Sequence, residues 1–354
     1  MTMKALVLAG GTGTRLRPFS HSLAKQLIPV ANRPVLFYGL EALAATGVQE
    51  VGIVVGERGE QIREAVGDGS AFGLRITCIP QERPAGLAHC VLIAEDFLGE
   101  DDFVLYLGDN VFLPGIRELT DAYAAVRPDA MITVQKVADP AEYGVAVNGP
   151  DGRVRRLVEK SREPVGDLAV AGAYVFSPAV HRAVRAIRPS ARGELEITDA
   201  LQWMVDRGLR VQAHRHEGYW KDAGRVADLL DCNRALLGAL EPRIAGAVDA
   251  RSRVGGPVVV EAGARIVRSR LTGPLIVGAG AVVRDSVVGP HTAIGAGCLV
   301  DGSGVADSVL LDGARLSGVR GLRHSLVGRD ARLSSAPGPH RLVVGDDGRV
   351  VIGT

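Results

Sequence analysis

The residues best suited to chemistry begin with the run Gly10-Gly11-Thr12-Gly13-Thr14-Arg15, followed by Lys25-Gln26. The run succeeds Ala5-Leu6-Val7-Leu8, an apolar stretch that reads as a buried parallel strand. Three glycines in four positions let the backbone turn tightly and approach a ligand closely. Peptide N–H groups in such a loop converge on phosphate oxygens, and Arg15 adds a charge-assisted donor. The pattern predicts a polyphosphate cradle. A P-loop is excluded, because no Lys-Ser or Lys-Thr closes the run. A dinucleotide fingerprint is excluded too, because Leu16 stands where its third glycine belongs.

Gly10 to Pro18 reads G-G-T-G-T-R-L-x-P and Lys25 to Val30 reads K-Q-L-x-P-V. Together they resemble the signature of the sugar-1-phosphate nucleotidylyltransferases, most of all the long form of the glucose-1-phosphate thymidylyltransferases. The resemblance extends over essentially the whole chain. Gln26 is typical of the thymidylyl branch; guanylyl and adenylyl relatives usually carry proline there, and many uridylyl relatives glutamate. The resemblance implies that dTTP and α-D-glucose 1-phosphate give dTDP-glucose and pyrophosphate with Mg2+, for the supply of activated deoxysugars. Two alternatives stand beside it: the same transfer from UTP, and a non-catalytic regulatory subunit. Such subunits usually lose the loop arginine or the aspartates, and here Arg15, Asp109 and Asp222 are all present.

A sugar phosphate is already a nucleophile at neutral pH, so the transfer needs positioning and charge neutralisation rather than a Ser-His-Asp triad. Magnesium prefers oxygen and often takes one or two carboxylates; Asp109 and Asp222 match the family's metal-binding aspartates. By resemblance, Arg15 meets the triphosphate and its leaving pyrophosphate, and Lys25 the phosphates near the reacting phosphorus. Leu8, Gly10, Gly11, Thr12, Gly13 and Thr14 line the nucleotide loop. Gln26, Gln81 and Gly86 read the base, since a side-chain amide offers both donor and acceptor to a pyrimidine edge. Tyr143, Gly144 and Glu159 meet the sugar, with Lys160 and Arg192 on its phosphate. Tyr174 and Trp220 wall the sugar, with core packing as the other reading of Tyr174.

These residues need a scaffold. Val51–Val55, Leu74–Ile79 and Phe103–Leu107 read as buried strands, alternating with helical segments over Pro34–Thr46, Glu60–Val66 and Gly86–Phe97. The rhythm predicts a Rossmann-like α/β domain with a mostly parallel sheet, binding ligands at the carboxyl ends of its strands. Further helices are expected over Pro178–Ile187, Glu196–Asp206 and Arg225–Leu240. After about Pro242 the composition shifts to glycine and valine, and aliphatics recur every six residues: Ile276, Val282, Val288, Ile294 and Val300; Val254, Val260 and Ile266; Leu310, Leu316 and Leu322. That period predicts a left-handed parallel β-helix of roughly five coils, with breaks near Leu271 and Ser303. The division is thus a catalytic domain over 1–241 and a β-helix over 242–354 that ends in a hairpin at Arg341–Ile352. The β-helix histidines, His291, His324 and His340, raise acetyl transfer as a distant alternative; oligomer contacts or regulation are the expected role.

The 354 residues carry a net charge of +1, which suggests neither a nucleic-acid nor a membrane surface. No signal peptide or membrane span is evident. Cys78, Cys90, Cys232 and Cys298 are scattered without a C-x-x-C, as buried thiols in a cytoplasmic protein would be. Five lysines stand beside 36 arginines, and three of the five, Lys25, Lys160 and Lys221, fall in the motifs above. A compact ammonium is not interchangeable with a planar guanidinium at a phosphate. A homo-oligomer is expected.

Overall fold

The structure is a computed structural model and describes residues 3–160 and 166–335. His340 and the hairpin expected at 341–352 lie outside the described residues. The chain divides into two compact units: 1–12, 24–27 and 35–222 form the first, and 13–23, 28–34 and 223–354 the second.

The first unit is built on strands β1 (Lys4–Ala9), β2 (Glu50–Val55), β3 (Arg75–Pro80) and β4 (Phe103–Leu107), with helices α1 (Val35–Ala45), α2 (Gly59–Val66) and α3 (Leu87–Ile93) between them. Every residue of β1 after Lys4 is buried, as a strand covered on both faces requires. β1 lies between β4 and β2, and β3 pairs with β2, all parallel. Their carboxyl ends therefore line up along one edge.

Beyond β4 the sheet changes character. Strands β5 (Asn110–Leu113), β6 (Ala130–Lys136), β7 (Gly144–Asn148), β8 (Val154–Glu159), β9 (Leu168–Phe176) and β10 (Val211–Arg215) follow. β9 runs antiparallel to β4, β6 and β7, and β7 and β8 are antiparallel neighbours. The mostly parallel pattern thus describes the nucleotide half, while the later half is mixed. Physically, β7 and β8 are joined by a tight turn in which Gly152 N donates to Gly149 O at 3.0 Å. A turn that short allows only antiparallel pairing. β5 stands off this sheet and pairs antiparallel with β11 (Tyr219–Asp222). The core packs Leu6, Leu105, Ile132 and Phe176 against Val180 and Leu201, the last two on helices Ala179–Ala186 and Ile197–Asp206.

The second unit carries a left-handed parallel β-helix whose three parallel sheets hold six, six and five strands among the described residues. Most coils are 17 residues long: Val260 pairs with Val277, Val283 with Val300 and Val288 with Val305. One closes in 16, with Ile294 opposite Leu310 and Val300 opposite Leu316. The inward residues Leu271, Val277, Val283, Val288, Ile294 and Val300 are at most 1% exposed. Their spacing runs six, six, five, which corrects two sequence-based expectations. Leu271 sits inside a strand (Arg270–Thr272) and marks no break. Val277 and Val283 fill the core in place of Ile276 and Val282. The shortened face is where serines stack. Ser269 N donates to Ser252 Oγ at 3.0 Å, Ser286 N to Ser269 Oγ at 3.1 Å, and Ser303 N to Ser286 Oγ at 3.0 Å. The hydroxyls of Ser269, Ser286 and Ser303 each fold back onto a carbonyl two residues earlier. Val254, expected inside, is 40% exposed because it lies on the end strand of its sheet. Helix Val226–Gly238 belongs to this unit; its Asn233 amide donates to His291 O at 2.9 Å, and Arg234 grips Asp307 with two bonds of 2.6 Å. Among the described residues, no helix is long and apolar enough to cross a membrane.

Candidate active site

The site forms where β4, β1, β2 and β3 end. Leu8 O accepts from Gly108 N at 3.0 Å, and Val55 O from Gln81 N at 2.8 Å, so the loops after adjacent strands are tied together. Gly56 passes so close to the glycine loop that a Cβ there would lie 2.6 Å from Gly10 O. A small cavity opens between Gly10, Gly11, Lys25, Gln26, Gly56 and Arg58.

Lys25 sits on the floor of the loop: a Cβ at Gly11 would lie 3.2 Å from its Nζ. Its ammonium pairs with Asp109 Oδ2. Asp109 is 9% exposed, and Asn110 Nδ2 donates to its other oxygen, Oδ1, at 3.1 Å. Burial alone would raise the Asp109 pKa. The charge and hydrogen bond of Lys25, with the Asn110 bond, outweigh it and hold the carboxyl below its usual range. Asp222 faces Asn110 across the β5–β11 pair, which brings the second aspartate beside the first. Two carboxylates next to a phosphate-binding loop suit Mg2+, which completes its shell with phosphate oxygens and water. Among the described residues there is no cluster of three or more His, Cys, Asp or Glu that would suit a transition metal.

On the base side, Gln81 is 8% exposed and Gln26 1%. The Gln81 amide is turned by helix α3: Nε2 donates to Cys90 Sγ at 3.2 Å and lies 3.0 Å from His89 Nδ1. Burial, then Arg83, lowers the His89 pKa, which keeps the ring neutral and able to accept. Cys90 remains a thiol, pushed up to about 12 by burial. Oε1 of Gln81 is thereby left toward the loop, 2.7 Å from where a Cβ on Gly10 would sit. Oε1 of Gln26 is buried with no donor. Gly86 must be glycine. Its φ is +98°, and a Cβ would lie 2.3 Å from Leu195 O.

The sugar side is a network around Glu159. Thr198 Oγ1 donates to Glu159 Oε2 at 2.9 Å, and Arg192 Nη2 to Oε1 at 3.1 Å, with Lys160 Nζ 3.5 Å from Oε1. Gly144, opposite Glu159 in register, leaves room for Thr198 and Glu159. Burial would lower the Arg192 pKa, but Glu196, Glu159 and Glu194 together raise it. Tyr143 and Trp220 face each other with ring centroids 5.3 Å apart. Tyr174 behaves differently from a pocket wall: it is 3% exposed on β9, stacked on Phe176 within the core. Strand alternation turns it inward.

Gly13, Thr14 and Arg15 group with the second unit. There Gly13 (φ +67°) opens a short turn over Thr14–Leu16, Ser20 Oγ holds Gly13 O at 2.7 Å, and Arg15 is exposed. His324 lies 3.0 Å from Asp307. Sequence reading passed over Asn110, His89 and Cys90 as site residues. Asn110 stands within the Gly-Asp-Asn motif, so a signal was present; His89 and Cys90 become visible only through the helix that carries them.

A family model described as nucleotidyl transferase matches residues 4–238. A glucose-1-phosphate thymidylyltransferase of Streptomyces griseus is 57% identical over 261 residues, covering 74% of either chain. The low-salt glycan biosynthesis nucleotidyltransferase Agl11 of Haloferax volcanii is 44% identical over 72% of either chain. A UTP–glucose-1-phosphate uridylyltransferase of the same organism, AglF, is 35% identical over 66% of this chain and 96% of its own. Among solved structures, a Bacillus anthracis protein described as a glucose-1-phosphate thymidylyltransferase superposes with a TM-score of 0.63 at 33% identity, covering 69% of this chain and 98% of that one.

Proposed function

The chain belongs to the nucleotidyl transferase family, and from that premise we propose a glucose-1-phosphate thymidylyltransferase whose chemistry resides in residues 1–241. The observation that carries the reading is the Lys25–Asp109 pair seated on the glycine loop. Glucose 1-phosphate supplies the nucleophilic oxygen. Its bond to the α-phosphorus of dTTP forms as the bond to the bridging oxygen breaks, and pyrophosphate leaves in line. Lys25 neutralises charge at the α-phosphoryl group, and Arg15 the charge on the departing pyrophosphate. Mg2+, held by Asp109 and Asp222, would supply charge neutralisation and orientation of the phosphates.

Glu159 accepts from sugar hydroxyls, and Lys160 and Arg192 hold the sugar phosphate against Gly144 and the Tyr143–Trp220 wall. Gln81 presents an acceptor to the N3–H of the base, with Gln26 and Gly86 framing it. That edge is shared by thymine and uracil and reversed in cytosine, so UTP is the second reading. The 57% identity to thymidylyltransferases, against 35% to the uridylyl relative, favours dTTP. The β-helix, with Ile244, Val254 and Val287 exposed, supports self-association. Four free cysteines support a reducing compartment.

The test is pyrophosphate release from glucose 1-phosphate with each NTP in turn. Strong release with dTTP, and its loss in Asp109→Asn, is expected. A preference for UTP would overturn the thymidylyl assignment, and full activity of Asp109→Asn would overturn the metal assignment.

A further inference from the structure

Asn110 is tightly held, and both bonds of its amide have a fixed direction. The Asp109 carboxylate can only accept, so the group 3.1 Å from its Oδ1 is the amide NH2. The Trp220 indole can only donate, so the group 2.6 Å from its Nε1 is the amide oxygen. The amide cannot flip without opposing like groups at both ends. Its main chain is tied as well, because Tyr106 Oη donates to Asn110 O at 2.8 Å. The residue is 1% exposed, and a Cβ on Gly172 would lie 2.4 Å from Asn110 Oδ1.

We propose that Trp220 and Asn110 are positioning residues that set the orientation of the Asp109 carboxylate and tie it to the aromatic wall of the sugar pocket. The proposal rests on the reading of Asp109 as a metal-holding carboxylate. Lys25 pairs with Oδ2, and the last torsion of a carboxylate is a soft one. The Asn110 bond to Oδ1 restrains that torsion from the other side. Asn110 is in turn held by an indole whose ring packs against Tyr143. A sugar seated on that wall bears on the same indole, so occupancy on the sugar side and geometry on the metal side share two hydrogen bonds. The β5–β11 pair frames the link: Trp220 is opposite Phe112, and Asp222 opposite Asn110. One strand therefore carries both the second aspartate and the indole. A purely structural role, two buried polar groups satisfying each other, would predict no response to metal.

The chain has two tryptophans, so Trp203→Phe leaves Trp220 as the sole indole reporter. Trp203 lies away from this network, under Arg207. In the dTTP-loaded Trp203→Phe enzyme, adding Mg2+ should shift Trp220 emission, and Asp109→Asn in that background should abolish the shift. In Trp220→Phe, Mn2+ affinity measured by EPR with dTTP present should weaken several-fold. Its kcat should fall roughly tenfold, the worth of one hydrogen bond in a charged network, with KM for dTTP unchanged. Unaltered Mn2+ affinity and kcat in Trp220→Phe, or a rise confined to KM for glucose 1-phosphate, would overturn the relay and leave Trp220 as a wall. Should that variant fail to fold, the emission test still decides: no Mg2+ response in Trp203→Phe overturns the proposal. Unchanged metal affinity in Asp109→Asn alone would overturn the metal reading, and the relay with it.

Discussion

Replacing Lys25 with methionine keeps an unbranched side chain one atom shorter and removes its charge. Two separable effects follow. Losing one donor aimed at developing phosphoryl charge costs about 3–4 kcal/mol of transition-state stabilisation, a fall of about 10²–10³ in kcat. The second effect is on stability. The Lys25 and Asp109 side chains are 17% and 12% exposed, so removing the cation strands a nearly buried carboxylate. A fully buried pair broken in this way costs about 3–5 kcal/mol, and the residual exposure reduces that to about 2 kcal/mol. The pH dependence gives the sign. In the wild type the Asp109 pKa is held below its ordinary value, so its contribution is present above about pH 4 and lost as pH falls through the depressed value. In Lys25→Met the largest opposition to burial is gone, leaving the Asn110 bond and a backbone hydrogen bond, and the pKa rises, so the deficit in Tm relative to wild type should narrow on acidification. Lys25→Arg should not rescue kcat, because the Lys25 Cε already lies 3.0 Å from where a Gly11 Cβ would be and a guanidinium needs more room. The assays are pyrophosphate release at saturating substrates and thermal unfolding from pH 4 to 8. A kcat within threefold of wild type, or a Tm deficit independent of pH, would refute the reasoning.

Four further outcomes follow from the geometry. His89→Leu removes one of the two partners that turn the Gln81 amide; discrimination of dTTP over dCTP should fall about tenfold, while the ratio of dTTP to UTP turnover stays unchanged. Gly172→Ala drives a methyl to 2.4 Å from Asn110 Oδ1 and should lower stability by about 1–3 kcal/mol in denaturant titrations. Leu316→Ala empties a fully buried place in the β-helix and should cost about 2–5 kcal/mol, seen by calorimetry as earlier unfolding. Asp307→Asn breaks the two-bond grip of Arg234. The Asp307 pKa is lowered, first by its hydrogen bonds from Arg234, so the stability it adds is present above about pH 4 and lost below. The variant's Tm should therefore be lower at neutral pH and converge with wild type in acid.

The glycine loop, Lys25 and Asp109 were legible because their chemistry is local: a run of glycines and a charged residue at a strand end announce themselves without tertiary context. The parallel strands β1, β2 and β4 were legible because burial on both faces makes a continuous apolar run. What escaped notice depended on long-range pairing. β9 is as apolar as a parallel strand, and only its neighbours make it antiparallel. Tyr174 reads equally as a pocket wall or as core in one dimension, and its packing on Phe176 favours the core reading. The β-helix showed its period, but a uniform six misplaced Ile276 and Val282, because one face in three is a residue short. The stacked serines at 252, 269, 286 and 303 carried the true period in plain sight. Asn110, His89 and Cys90 act by orienting another side chain, and orientation has no pattern in one dimension.

The serine ladder bears on how such a chain can change length. Each hydroxyl reaches only the coil immediately after it, and most inward aliphatics meet a counterpart 17 residues away, 16 where Ile294 faces Leu310 and Val300 faces Leu316. Neighbouring coils therefore interlock like identical links, with nearest-neighbour contacts alone. Duplication or loss of a whole coil would carry every corner and core position onto its equivalent, and the 16-residue coil shows that a corner can absorb a single residue, since Val305 still pairs with Leu322 and Leu310 with Val327 after it. Over evolutionary time this domain can lengthen or shorten in whole links, with single-residue changes confined to its corners.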